Sequence, residues 1–351
     1  MVIASDCRLG VPRGDSEMWF GDGASGLLIG NEGVIASIEE SYSVYNEIFD
    51  VWRTEDDAGV RSWEDRFAIG HGYAKSMEAA VSGLMKKQGL TPKDFTKAVL
   101  YGPDIRSHAA LVRSLGFDLK TQVQDPLLTN VGNTGVASPL MILVCALEEA
   151  EAGDMILLAG YGGGADALSI RVTEEIGNFK KKGGLKSLLD SRKAFVNYEK
   201  YVYWRRLLST EPVSPPPSPP EQHPPSAVAL LREQKGILAL HGAKCQCCGT
   251  PQYPPGRVCV ICQAVDQFDE YSFVGRRGTV FTFSIDYASP TFEQPTVVAT
   301  VDFDGGGRMF CDMIDCEPSE VKIGMPVEMV FRKLYQEEGI NNYFWKAKPL
   351  R

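Results

Sequence analysis

Cys245 and Cys248 form one C-x2-C pair, and Cys259 and Cys262 form a second after ten intervening residues. Two such pairs on tight turns can bring four sulfurs to one tetrahedral ion about 2.3 Å from each. Gly249, Gly256 and Pro254-Pro255 supply the turn chemistry of a zinc ribbon. Four protein ligands leave no open coordination position, so the expected zinc is structural. An iron–sulfur centre could use the same ligands, and metal-free vestigial cysteines are the plain alternative. Cys247 lies between two ligands and is expected to be a bystander. The remaining cysteines, Cys7, Cys145, Cys311 and Cys316, are scattered, which favours reduced thiols over a secreted disulfide framework.

The four histidines are the next candidates. His108 opens a helical stretch, Ser107–Leu115, and unaided reads as a capped surface histidine. His71, His223 and His241 fall in no motif, and His223 sits in a proline-rich run. Asn133 lies in the glycine-bounded turn Gly132-Asn133-Thr134-Gly135, where asparagine is an ordinary turn residue. Gly162 and Gly163 follow an apolar strand, and a loop of this kind can aim a backbone N–H at an oxyanion. No P-loop lysine follows it. Arg53, Arg61 and Arg66 around Thr54–Asp57 read as a salt-bridged surface or subunit contact.

These residues need elements to place them. Eight of the fourteen residues in PVSPPPSPPEQHPP, residues 212–225, are proline. Such a run is extended polyproline II, a stiff spacer of roughly 3.1 Å per residue. The expected organisation is a first module over 1–208, a linker over 209–226, a helix and zinc ribbon over 227–270, and a β domain over 271–351. In the first module strands are read at Met1–Asp6, Ser25–Ile29, Val34–Glu40, Ala98–Tyr101 and Met155–Ala159. Helices are read at Tyr73–Gln88, from apolar Met77, Ala80, Val81 and Leu84, at Ser107–Leu115 and at Val136–Ala152. This is an α/β layered pattern. Asn197–Leu208 reads as a last helix docked at the surface. After a helical stretch near Ala227–Leu238 and the ribbon come five strands: Thr279–Asp286, Thr296–Phe303, Arg308–Ile314, Val327–Lys333 and Asn342–Ala347. DGGGR, Asp304–Arg308, is a hairpin turn, and five strands without helices predict an all-β barrel of the OB type.

Composition narrows the function. With 44% hydrophobic and 23% charged residues the chain is globular. A net charge of −9 repels phosphate backbones and argues against a nucleic-acid partner. No run reaches the roughly 18 apolar residues that cross a bilayer, and no signal-peptide pattern opens the chain. No membrane association and a cytoplasmic location are expected.

Residues 227–351, through GAKCQCCGTPQYPPGRVCVIC, GTVFTFSIDY, PTVVATVDFDGGGRMFCDM and IGMPVEMVF, resemble the acyl-CoA-associated zinc-ribbon/OB-fold family (domain of unknown function 35). Members associate with thiolase-fold enzymes and help shape their acyl-CoA sites. Over residues 1–208, FGDGASGLLIG, IFDVWRTEDD, YGPDIRSH, VGNTGVAS and GYGGGADAL follow in order. They look like the C-terminal half of 3-hydroxy-3-methylglutaryl-CoA synthase and of type III ketoacyl-ACP synthase. The resemblance implies half of a thiolase-like layered fold and an acyl-CoA acyltransferase that makes or cleaves a carbon–carbon bond between CoA thioesters. It matches His108 to the family's active-site histidine, Asn133 to its asparagine and Gly163 to its oxyanion-hole glycine, while Phe20–Ala24 matches a fold-supporting motif.

In that family MVIASD resembles the strand following the nucleophile helix, so the half with the catalytic cysteine is expected from a partner chain in a hetero-oligomer, the alternative being a truncated gene product that has lost it. Cys7 is not at the nucleophile's motif. The alternative is a non-catalytic scaffold that holds a thiolase-family enzyme and channels acyl-CoA.

Overall fold

The computed structural model describes every residue except 63, 180–183, 193–196, 206, 208–225, 289–294 and 338–339. The proline run read as a linker, with His223, lies outside the described residues. Two compact units divide the chain, Met1–Leu189 and Asp190–Arg351.

The first unit is layered. Its main sheet has the order β3-β6-β5-β4, from β3 (Ala36–Tyr45), β4 (Lys97–Leu100), β5 (Met155–Tyr161) and β6 (Gly164–Val172). β4 and β5 pair in parallel, and β5–β6 and β6–β3 pair antiparallel. Alternate side chains of β4 and β5 enter opposite cores. Ala98, Leu100, Leu157 and Ala159 face the helices α1 (Lys75–Gln88) and α2 (Ile105–Leu115). Val99, Ile156 and Leu158 face α3 (Ser138–Glu149).

The helices follow the sequence closely. Met77, Ala80, Val81 and Leu84 of α1 are fully buried, at roughly 1.5–3 kcal/mol for each larger side chain. Gly89 and Gly116 end α1 and α2 in the left-handed region, where glycine carries no Cβ penalty. α3 is buried over most of its circumference because it lies between two layers. Beneath it is a two-stranded ribbon, β1 (Val2–Asp6) against β2 (Gly23–Leu27), with Ala4 and Leu27 in the α3 core.

The structure corrects one reading here. The glycines after Met155–Ala159 form no open loop but a tight hairpin, with Gly162 N donating to Gly164 O at 3.0 Å. The chain returns at once as β6, where Leu168, Ile170 and Val172 face one core and Ala165 and Ala167 the other.

The second unit holds α4 (Tyr198–Trp204), then α5 (Ala227–Arg232) and α6 (Gln234–Ala239), two short helices where one stretch was expected. A three-stranded ribbon of β7 (His241–Cys245), β8 (Pro251–Gln252) and β9 (Phe268–Ser272) follows, in the order β8-β7-β9. Five strands then close a barrel, as the sequence predicts: β10 (Arg277–Asp286), β11 (Thr296–Phe303), β12 (Arg308–Met313), β13 (Pro326–Glu337) and β14 (Ile340–Pro349). Val280, Val301, Phe303, Met309 and Trp345 fill it, and Trp345 Nε1 donates to the Ile237 carbonyl at 2.9 Å. Gly305, Gly306 and Gly307 all have positive φ, which makes the expected β11–β12 hairpin turn.

Among the described residues no helix is long and apolar enough to cross a membrane.

Candidate active site and metal centre

β4 ends at Leu100, and the chain turns through Tyr101-Gly102-Pro103-Asp104 into α2. The Asp104 carboxylate caps that helix by accepting from Ser107 N at 2.8 Å. The cap places His108 in the second turn, folded back over the turn that precedes it. A Cβ on Gly102 would lie 2.6 Å from His108 Cβ, so only glycine lets the imidazole sit there. His108 is 3% exposed. Its pKa is lowered by burial, against opposing effects of a hydrogen bond to the Leu100 backbone and of the Asp125 and Asp104 charges. Desolvation thus favours the neutral imidazole. Its Nε2 is buried with no hydrogen-bond partner among the described residues, which leaves one ring nitrogen for a ligand.

Asn133 is held from the other side. Its backbone N donates to Trp19 O at 2.6 Å, and its carbonyl accepts from Gly21 N at 3.1 Å. A Cβ on Gly21 would lie 1.9 Å from Val131 O. The FGDG stretch is therefore the seat of this turn, in keeping with its fold-supporting reading. Asn133 Oδ1 accepts from Arg8 Nη2 at 2.9 Å and from Gly135 N at 2.9 Å. Its Nδ2 donates to Tyr101 Oη at 3.1 Å and to the Pro103 carbonyl at 3.2 Å. Both amide hydrogens are engaged within the protein. Asn133 thus ties the end of β1 to the turn that carries His108. Asn133→Ala removes partners from several buried groups at once. It is expected to lower unfolding stability by about 2–4 kcal/mol, read by urea denaturation; an unchanged midpoint would contradict the hub role.

Gly163 lies on the β5–β6 hairpin with φ +59°, and a Cβ there would meet nothing within 4 Å. Its carbonyl accepts from Asn46 N at 3.2 Å. A tyrosine cluster joins it to the other two residues. Tyr161, two residues before it, stacks on Tyr101 at 6.3 Å and meets Tyr73 edge-on at 5.6 Å. Tyr73 Oη donates to the Tyr101 carbonyl at 2.8 Å.

Sequence reasoning passed over these tyrosines and Arg8, which pairs with Asp6 at 3.1 Å and lies over the Phe20 ring at 4.4 Å. A legible signal existed: Tyr101-Gly102 and Tyr161-Gly162 repeat one Tyr-Gly step at the ends of adjacent parallel strands. The Arg61–Asp57 ion pair expected on the surface is present. His71 and His241 lie elsewhere, with His71 Nδ1 3.0 Å from Lys75 Nζ and His241 Nδ1 3.8 Å from a Glu270 carboxylate oxygen.

A cavity of about 730 Å³ opens near the cluster, lined by Ile48, Phe49, Trp52 and Phe67 among others. Trp52 also lines a neighbouring cavity of about 560 Å³ with Val11 and Arg61. The first is mainly apolar, with Glu47 and Glu64 at its wall, and suits an amphipathic ligand; the second is mixed, with Asp15, Ser16, Ser62 and Asp65 beside Trp52.

The ribbon gathers the four predicted cysteines. The sulfurs of Cys245, Cys248, Cys259 and Cys262 all lie within 4.8 Å of one another. Cys245 to Cys262 is 3.6 Å and Cys248 to Cys259 is 3.5 Å. A tetrahedral zinc–thiolate centre needs sulfurs about 3.8 Å apart, so the cage fits the ion. Cys247 is outside the group and donates to Gln267 Oε1 at 2.6 Å.

Comparison with known proteins follows these two centres. Residues 85–173 match the family described as 3-oxoacyl-[acyl-carrier-protein (ACP)] synthase III C terminal. Residues 271–332 match the ChsH2 C-terminal OB-fold domain. The chain resembles the C-terminal part of a thiolase-fold synthase, with a ChsH2-type OB domain after it. A hydroxymethylglutaryl-CoA synthase of Methanopyrus kandleri is 32% identical over 210 residues, 59% of this chain and 60% of that protein. The hydroxymethylglutaryl-CoA synthase of Archaeoglobus fulgidus is also 32% identical over 210 residues, with the same two shares. A solved structure described as "Ltp2-ChsH2(DUF35) aldolase" aligns at TM-score 0.28 and 24% identity, over 37% of this chain and 98% of that one. The chain thus spans about 60% of the length of the curated relatives it matches. His108, Asn133 and Gly163 all fall inside the synthase III match, and the four cysteines precede the ChsH2-type match.

Proposed function

We propose that this chain is a subunit of a thiolase-type acyltransferase that forms or cleaves a carbon–carbon bond between CoA thioesters, and that a partner chain brings the nucleophilic cysteine. The carrying observation is His108, buried and neutral, whose other ring nitrogen is held at the Leu100 backbone and whose Nε2, without a partner among the described residues, can accept a proton from the reacting thioester. Asn133 positions the turn beneath it, and Gly163 offers a backbone N–H on an unobstructed hairpin. The mainly apolar cavity at Ile48, Phe49, Trp52 and Phe67 suits the pantetheine arm.

The first unit's own cysteines are poor nucleophile candidates. Cys145 is buried in α3, and its thiol is pushed up to about 11 by burial and the nearby Glu148 and Glu149 charges. Cys7 lies in the strand-end segment that carries Asp6 and Arg8, outside the family's nucleophile motif. Support for a partner comes from the β1–β2 ribbon. Val2 and Ile3 are consecutive, apolar, and 51% and 61% exposed. Ile3 points away from the α3 side that Ala4 faces, and a two-stranded ribbon is marginal in water by itself and asks for further strands.

Zinc held by Cys245, Cys248, Cys259 and Cys262 would brace the ribbon and take no part in bond making. Its thiolate ligands suit a reducing, cytoplasmic compartment. A second reading, a non-catalytic scaffold for a thiolase-family enzyme, draws on the barrel's outer face. There Phe310 is exposed, and the Arg308 guanidinium covers Phe281 at 3.6 Å.

Turnover separates the two readings. The purified chain alone is expected to show no condensation or cleavage of acyl-CoA, and to gain it when mixed with the partner that carries the nucleophilic cysteine. Robust turnover by the lone chain would contradict a partner-supplied cysteine. Full activity of a partner thiolase without this chain would favour the scaffold.

A further inference from the structure

Three phenols meet behind the glycine hairpin, and two of them are satisfied. Tyr73 Oη donates to the Tyr101 carbonyl, and Tyr101 Oη is bonded to Asn133. Tyr161 Oη is the exception: it is buried and has no hydrogen-bond partner among the described residues. A buried hydroxyl without a partner is costly, and its retention asks for an explanation.

Packing does not supply one. Phenylalanine would stack on Tyr101 and Tyr73 equally well. The backbone instead makes room for the oxygen. A Cβ on Gly72 would lie 2.5 Å from Tyr161 Oη and 3.2 Å from Ile48 Cγ2. Ile48 is one of the residues lining the 730 Å³ cavity, so the hydroxyl lies just behind that wall. Gly72 belongs to a π-helical turn, Ala68–Ala74, and such turns recur at functional sites. Burial pushes the phenol up to about 12, with the Asp50 charge adding to the effect, so at neutral pH it is a donor.

We infer that Tyr161 Oη is a substrate-contacting hydrogen-bond donor that reads a carbonyl oxygen on the acyl group from the Ile48 side of the cavity. The inference rests on the acyl-CoA reading above. It assigns a specificity role to the hydroxyl that closes β5.

The test is calorimetric titration of the full chain, assembled with its partner, using two CoA thioethers. S-(2-oxopropyl)-CoA carries a carbonyl, and S-propyl-CoA lacks it. The wild-type assembly is expected to prefer the oxo analogue. Tyr161→Phe is expected to reduce that preference about ten-fold, with unchanged affinity for the propyl analogue and an unchanged or higher melting temperature. Retention of the preference to within about two-fold would overturn the role of Tyr161 and leave the acyl-CoA reading standing. Equal weakening of both analogues, or a lower melting temperature, would mark the hydroxyl as structural and likewise overturn it. Binding of neither analogue by the wild type would overturn the acyl-CoA reading itself, and this inference with it.

Discussion

His108→Ala is expected to lower turnover of the assembled enzyme by roughly 10²-fold or more while the chain stays folded. The magnitude follows from what is removed. The imidazole is the one buried ring of α2 with an uncommitted nitrogen, held by the Asp104 cap below and by Gly102 behind. A preorganised base in a dry site costs no reorganisation when a proton leaves the reacting thioester. Its loss is therefore felt in kcat more than in KM. Near-normal kinetics would remove His108 from the mechanism.

The same burial sets a pH signature. The unfolded imidazole titrates near 6.5, and burial holds the folded one lower. Below about 6.5 the unfolded chain takes up a proton that the folded chain refuses. The contribution of His108 to stability is thus complete above that pH and declines as the pH falls toward the folded value. His108→Gln should flatten this acid-side decline.

Cys259→Ser is expected to abolish metal binding and unfold the ribbon. Structural zinc centres of this kind supply on the order of 10–16 kcal/mol of apparent binding energy, far more than a three-stranded ribbon gains from its own packing. Cys259 is 1% exposed and within 3.5 Å of Cys248, so serine there breaks the cage from inside. The purified protein should carry about one equivalent of zinc, falling to near none in the variant. Cys247→Ser serves as the control, because Cys247 points to Gln267 and not to the ion; it should keep its metal. Equal metal content in both variants would contradict the assigned ligand set.

Much of this molecule could be read from local pattern. The α1 spacing of Met77, Ala80, Val81 and Leu84 is a helix face, and those four residues are its buried face. The cysteine pairs carry their geometry in their spacing. The barrel strands were legible because apolar alternation and the DGGGR turn are short-range signals.

What stayed hidden depends on long-range contact or on small residues. One face of β6, Ala165, Ala167 and Ser169, is too small to announce a buried surface, although Leu168, Ile170 and Val172 on its other face alternate legibly. β8 is two residues long and exists only as a partner of β7. The Asn133 hub needs Arg8, 125 positions away, and no local pattern relates them. Tyr101 and Tyr161 meet only because β4 and β5 lie side by side. Burial lowers the His108 pKa, and accessibility is a property of the packed unit that no local pattern carries.

The most direct test of the account is where the acyl group goes. The chain and its partner are incubated with acyl-CoA, quenched in acid, and weighed separately by intact-protein mass spectrometry. The account predicts an acyl adduct on the partner's cysteine and none on this chain. An adduct on this chain, formed at Cys7 in the partner's absence, would contradict it.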